Sequence, residues 1–175
     1  DPHAFEPSLR DRELALAATT VIANGLDLEV SVLPLLDGAA VIEMTNHIDV
    51  LEPHDDHDEH DEHGHSHSHG DPHAWQDPRR VAGALDTIAA ALAAHDIATC
   101  ADAYRDELLA LDAEIEALLA GIPDSARVLV TSHASLAYFA DRYGFEVVGT
   151  VIPSTNTLAA TNAADLADLA DTIER

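Results

Sequence analysis

The sequence contains no lysine, a single cysteine and no run of about 18 apolar residues. Each absence excludes something. With Cys100 alone, neither an internal disulfide framework nor a thiolate zinc site of the Cys-x-x-Cys kind can form, so any zinc must be held by nitrogen and oxygen. The missing apolar run removes a membrane-spanning helix, and no secretory signal pattern is present. All eight bases are arginine against 33 acids, a formal charge of −25. That balance argues against nucleic acid and anionic membrane as partners and in favour of cations. A hydrophobic content of 47% over 175 residues is ordinary for a globular protein, as one domain or two small lobes.

What the chain has in excess is histidine, and most of it lies in one place. The stretch from Glu52 to Trp75, EPHDDHDEHDEHGHSHSHGDPHAW, carries His54, His57, His60, His63, His65, His67, His69 and His73, eight of the twelve. Its only aliphatic residue before Trp75 is Ala74. Such a segment cannot bury apolar surface, so it reads as a solvated, flexible loop. It can also bind metal. Neutral imidazole is a ligand for zinc, copper, nickel and iron, and the interleaved carboxylates raise the local cation concentration. The seven histidines from His54 to His69 are therefore expected to act as auxiliary metal ligands.

Along the rest of the chain, short apolar β-branched runs alternate with helical patterns. A helix is predicted from Pro7 to Ala18, a strand over Thr20–Ala23, a second helix over Leu26–Leu36 and a second strand over Ala40–Thr45. After the loop, Asp77-Pro78 opens a long helix with Val81, Leu85, Ile88 and Leu92 on its inward face, and His95 continues that stripe as a helix-end or packing residue rather than a ligand. A second long helix, about Thr99 to Ala120, repeats Tyr104, Leu108, Leu111, Ile115 and Leu118 and ends before Gly121. Strands over Arg127–Thr131 and Phe145–Thr150 then alternate with helices over Ser135–Tyr143 and Asn162–Arg175, the last turning Leu166, Leu169 and Ile173 inward. This is an α/β protein: two parallel-sheet blocks joined by a long helix, with a cleft where the blocks face each other. The abrupt beginning and end predict a fragment of a longer protein.

Three histidines stand apart by context. His3 and His73 each follow Asp-Pro, where proline fixes the backbone, and His133 follows the strand ending at Thr131, where α/β folds place ligands. Three imidazoles from separate rigid positions with a fourth oxygen or water make a normal zinc site. Each is equally readable alone as a hydrogen-bonded loop or strand-end residue. His47 has a weaker context and reads as surface.

DPHAFEPS, the acidic His-rich loop, DPHAWQDP and TSHASLAYFADRYGF, in that order, resemble the zinc and manganese solute-binding proteins of bacterial ABC importers, the family called cluster A-I or cluster 9. The resemblance implies two α/β lobes bridged by a rigid helix, with metal in the interlobe cleft. It divides the chain into a partial N-terminal lobe at 1–97 with the His-rich loop at 52–70, a bridging helix at 98–121, and a partial C-terminal lobe at 122–175. It puts the first three metal ligands on His3, His73 and His133. Manganese-binding relatives usually carry Glu at the third position, so His133 implies zinc. The family's fourth ligand comes from a later segment that this chain does not contain.

The function implied is a non-catalytic carrier that captures zinc in the periplasm or at the extracellular face of the membrane and hands it to an ABC permease, with a periplasmic metallochaperone as a further partner. A metal buffer or zinc chaperone acting through the loop is the alternative. A zinc hydrolase would also use three histidines and water, but the chain has no His-Glu-x-x-His and no acid placed as a general base beside the ligands.

Overall fold

A computed structural model describes residues 2–36, 39–52, 70–152, 154–161 and 163–173, without the side chains of Asp165 and Asp168. The segment 53–69, with the seven auxiliary histidines, lies outside the described residues. In the first block, α1 (Leu9–Ala17) leads to β1 (Thr20–Ala23), which pairs in parallel with β2 (Ala40–Glu43), Thr20 opposite Ala40. Two helices follow, α2 (Pro78–Ala93) and α3 (Ala101–Leu119). The second block is β3 (Val128–His133), α4 (Ala137–Tyr143), β4 (Glu146–Ile152) and α5 (Ala163–Ile173), with β3 and β4 again parallel. The α/β reading holds. No helix among the described residues is long and apolar enough to cross a membrane.

Local chemistry sets the helix starts. Ser8 caps α1: its hydroxyl accepts from the Asp11 amide while the Asp11 carboxylate accepts from the Ser8 amide, so α1 begins two residues later than Pro7 suggests. Asp77 caps α2 by accepting from the amides of Arg79 and Arg80, and Pro78 occupies the first helical position, where a missing N–H costs nothing.

The helix expected over Leu26–Leu36 is not formed. Gly25, Leu26 and Asp27 all take positive φ (96°, 54° and 61°), and turns lead into a short 3-10 helix at Leu33–Leu35. The cause is Glu29, whose carboxylate accepts from the amides of Asn24 (2.6 Å) and Gly25 (3.1 Å) and closes a tight turn there. Gly25 is required at that turn, because a Cβ would lie 2.3 Å from the Thr45 hydroxyl. Pro34 then denies a backbone N–H to any longer helix.

Other expectations change in extent. β2 ends at Glu43 and a 3-10 helix takes Met44–His47, leaving His47 exposed. On α2 the predicted stripe is only half-buried, while the small residues Ala82 and Ala84 are buried. His95 lies just past the helix end and is exposed, which agrees with the helix-end reading and not with the packing one. On α3 only Leu108 of the predicted stripe is buried and Ile115 half-buried, whereas Tyr104, Leu111 and Leu118 are exposed. At 1.5 Å per residue α3 is about 28 Å long. On α5, Leu169 alone is buried while Leu166 and Ile173 are exposed. Leu169 reaches the sheet because β4 has glycine at 149, where a Cβ would meet the Leu169 side chain at 2.5 Å.

The blocks are tied by a polar cluster on α3. Asp112 is 1% exposed and accepts from Arg79 Nε (2.6 Å) on α2, from Arg142 Nε and Nη2 (2.7 Å each) on α4, and from the Tyr143 hydroxyl (3.2 Å). Burial opposes its charge, but the hydrogen bonds from Arg142 and Arg79 outweigh burial and hold the carboxyl below the ordinary carboxylate range. The Tyr143 phenol is pushed up to about 12, by burial and by the neighbouring Asp112. Arg80 of α2 adds a second tie, to Asp141 of α4 (2.6 Å).

Candidate metal centre

Each of the three singled-out histidines sits in or beside a constrained segment. His3 lies on a short 3-10 helix, Pro2–Ala4, and the carbonyl of nearby Phe5 accepts from the Ser31 hydroxyl at 2.7 Å. His73 is held from three directions. The Asn24 side-chain amide, at the end of β1, donates to the Pro72 carbonyl (2.8 Å); the Asp71 amide donates to the Leu51 carbonyl (2.8 Å); and the Tyr138 hydroxyl of α4 donates to the Asp71 carbonyl (2.8 Å). His133 is the last residue of β3 rather than the residue after a shorter strand, paired opposite Ile152 of β4. Its position is thus fixed by the parallel ladder.

The structure brings these three side chains together. His3 Nε2 lies 3.0 Å from His73 Nε2, and His133 Nε2 lies 3.2 Å from the same atom. One nitrogen from each ring falls in a group spanning no more than 4.8 Å. Two imidazole nitrogens on one tetrahedral zinc, at bonds of about 2.0 to 2.1 Å, stand roughly 3.3 Å apart, so the cluster needs little rearrangement to accept an ion.

Asp71 supplies what the ligand set itself does not. Its Oδ1 accepts from the His73 backbone amide (2.9 Å) and lies 2.6 Å from His73 Nδ1, with both residues buried. A carboxylate there accepts a hydrogen bond from Nδ1–H and leaves the Nε2 lone pair facing His3 and His133, the arrangement that orients metal-bound histidines. His73 also packs edge-on against Trp75, ring centroids 5.2 Å apart. The other two rings hold protons less readily than a free histidine. For His3 the cause is burial, then the neighbouring His73 and His133; for His133 it is burial, then His73. Both are therefore poised as neutral ligands near pH 7.

Reading the sequence alone missed Asp71, Tyr138 and Asn24. Asp71 had one available signal, its position two residues before His73, which allows the side chain to accept from the His73 amide. His47 and His95 are exposed and do not join the cluster.

An α/β scaffold that gathers three imidazoles at this spacing carries the donor set of a metal-binding protein. The whole chain, residues 1–175, matches the family described as "ZnuA: Zinc-uptake complex component A periplasmic", and the chain belongs to that family of metal-binding components of uptake systems. That description is of a transport component and not of an enzyme. The chain is similar to the manganese-binding lipoprotein MntA of Halalkalibacterium halodurans, 30% identical over 85% of this chain and 49% of that protein. It is also similar to the iron-binding protein YfeA of Yersinia pestis, 29% identical over 83% of this chain and 47% of the other. Among solved structures, the periplasmic zinc-binding protein TroA of Treponema pallidum superposes with a TM-score of 0.74 at 26% identity, covering 99% of this chain and 62% of TroA. The chain spans about half the length of the curated relatives it matches.

Proposed function

We propose that this chain is the metal-holding part of a solute-binding protein that captures zinc in the cell envelope and delivers it to the permease of an ABC importer. His3, His73 and His133 are its ligands, and the observation that carries the reading is their convergence around a His73 oriented by Asp71. The relatives' names record zinc, manganese and iron, so the ion is argued from the donors. An all-imidazole set suits zinc, whereas manganese favours carboxylate oxygen, and the Asp71 carboxylate beside the cluster is turned to His73 Nδ1. The proposed division runs 1–97, 98–121 and 122–175, with α3 as the bridge and the periplasm or the outer membrane face as the location; a metallochaperone is a further proposed partner. Calorimetric titration tests the reading: one zinc should bind tightly and manganese far more weakly, and equal affinity for the two would sink the assignment of zinc.

The histidines from His54 to His69 are proposed to bind further zinc weakly, because closing a chain around an ion costs about 1 to 2 kcal/mol of conformational entropy for each residue newly fixed. Deleting residues 54–69 should lower the total zinc bound at high concentration and leave the tight site intact. The ends favour this outcome, since Leu51 and Asp71 are joined directly by a backbone hydrogen bond. Loss of the tight site on deletion would favour the loop-based buffer or chaperone instead.

Proton competition sets the pH range. Because His3 and His133 are depressed below the usual histidine value of 6.5, affinity should change little from pH 8 to about 7 and fall steeply below about 6. Metal-free stability follows the same sign. The unfolded chain takes up protons first as pH drops through 6.5, so the stability these two groups contribute is present above that pH and lost below it. Zinc titrations between about pH 5 and 8 check this, and a flat affinity would show that histidines do not dominate the site.

A further inference from the structure

Tyr138 is 0% exposed, and its hydroxyl stands at a junction of three segments. It donates to the Asp71 carbonyl at 2.8 Å and accepts from the Leu51 amide at 3.0 Å. Leu51 and Asp71 are themselves joined, the Asp71 amide donating to the Leu51 carbonyl at 2.8 Å. Asp71 in turn grips His73 through both its ring and its amide. Tyr138 lies on α4, five residues beyond His133 in the same continuous stretch that leaves β3. The Arg80 guanidinium covers its ring at 5.1 Å and also pairs with Asp141 of α4, so the ring has little room to turn. Burial raises the phenol above its ordinary value, which keeps the proton needed for donation to Asp71 in place.

We propose that Tyr138 is a positioning residue for the metal site: its hydroxyl fixes the Asp71–His73 pair relative to the β3–α4 segment that carries His133, and so sets the spacing of ligands from the two blocks. This rests on the three-histidine reading above. The two ligand contacts, at 3.0 and 3.2 Å, both converge on His73 Nε2, so the spacing depends on how His73 itself is held. Among the described residues, the hydroxyl gives a direct hydrogen-bonded connection from α4 to both Leu51 and Asp71. No hydrogen-bonded group of Tyr138 is a metal ligand, so its effect is indirect, passing through the Asp71 main chain.

The test uses paired tyrosines of one helix. Tyr138→Phe keeps the ring under Arg80 and removes the hydroxyl. Tyr143→Phe makes the same change at a buried site whose hydroxyl reaches Asp112 instead. Zinc affinity is measured for both, with His73→Ala alongside, and cobalt(II) is used as a spectroscopic probe. Tyr138→Phe should lower zinc affinity by about 10-fold, the low end of the effect of outer-shell partners, and shift the visible cobalt bands as the ligand angles relax. Tyr143→Phe should leave both unchanged. Unaltered affinity and cobalt bands in Tyr138→Phe would overturn the proposal, as would equal changes in the two variants, which would indicate general loosening. If His73→Ala binds zinc as tightly as the unaltered protein, the three-histidine reading itself has failed. Amide exchange at Leu51 in the unaltered protein gives an independent measure: zinc should slow it severalfold, and exchange indifferent to zinc would contradict the coupling.

Discussion

His73→Ala should lower zinc affinity by more than about 100-fold, because outer-shell partners alone are worth about 10- to 100-fold and this change removes a ligand together with its orienting contact. Of the three proposed ligands His73 should matter most. It is the ring common to both short separations, 3.0 Å to His3 and 3.2 Å to His133, and it is buried whereas the other two are half-buried. The variant also leaves Asp71 with a buried carboxylate facing no ring, so a fall in metal-free stability should accompany the loss of binding. Calorimetry with zinc and urea unfolding without it separate the two effects. Retention of one tight zinc in this variant would falsify the assignment of ligands.

The second large effect is expected far from the metal. Asp112→Ala should destabilise the protein by about 3 kcal/mol, since removing one partner of a buried ion pair costs about 3 to 5 kcal/mol and the 58% exposure of Arg79 argues for the low end. Arg142, only 17% exposed, would be the group left without its main partner. The pH dependence has a definite sign. A carboxyl held below its unfolded value contributes stability at neutral pH, and that contribution is lost as pH falls through about 4 and below. Urea unfolding at pH 7 and at pH 3 should therefore show the variant and the unaltered protein far apart at the first pH and closer at the second. A constant difference would place the effect in packing.

Much of the site was legible in the sequence because its signals are local. Asp-Pro-His at residues 71–73 and a histidine at the end of an apolar run need no knowledge of the fold to stand out. Asp71 was harder to single out as a partner, because its position two residues before His73 is a weak signal among the many acids of the His-rich stretch. Its role appears only when Leu51 and Tyr138 position its main chain. The clamp at Asp112 was hidden for a related reason: its partners lie 33 and 30 residues away along the chain. Periodicity likewise located α3 but not the depth of its stripe, since spacing tells which residues share a face and not what covers it. The missing helix after Asn24 is a case where one carboxylate, Glu29, outweighed the helix-forming tendency of its neighbours.

The hydrogen bond between the Leu51 carbonyl and the Asp71 amide brings the two described ends on either side of residues 53–69 to nearly the same point. In a flexible loop closed at such a point, each doubling of length costs only about 0.6 kcal/mol of closure entropy, so a longer stretch could be joined there without redesigning the body. A small reporter domain spliced between Glu52 and Gly70 would start and finish beside His73, where occupancy of the metal centre could be read out as light.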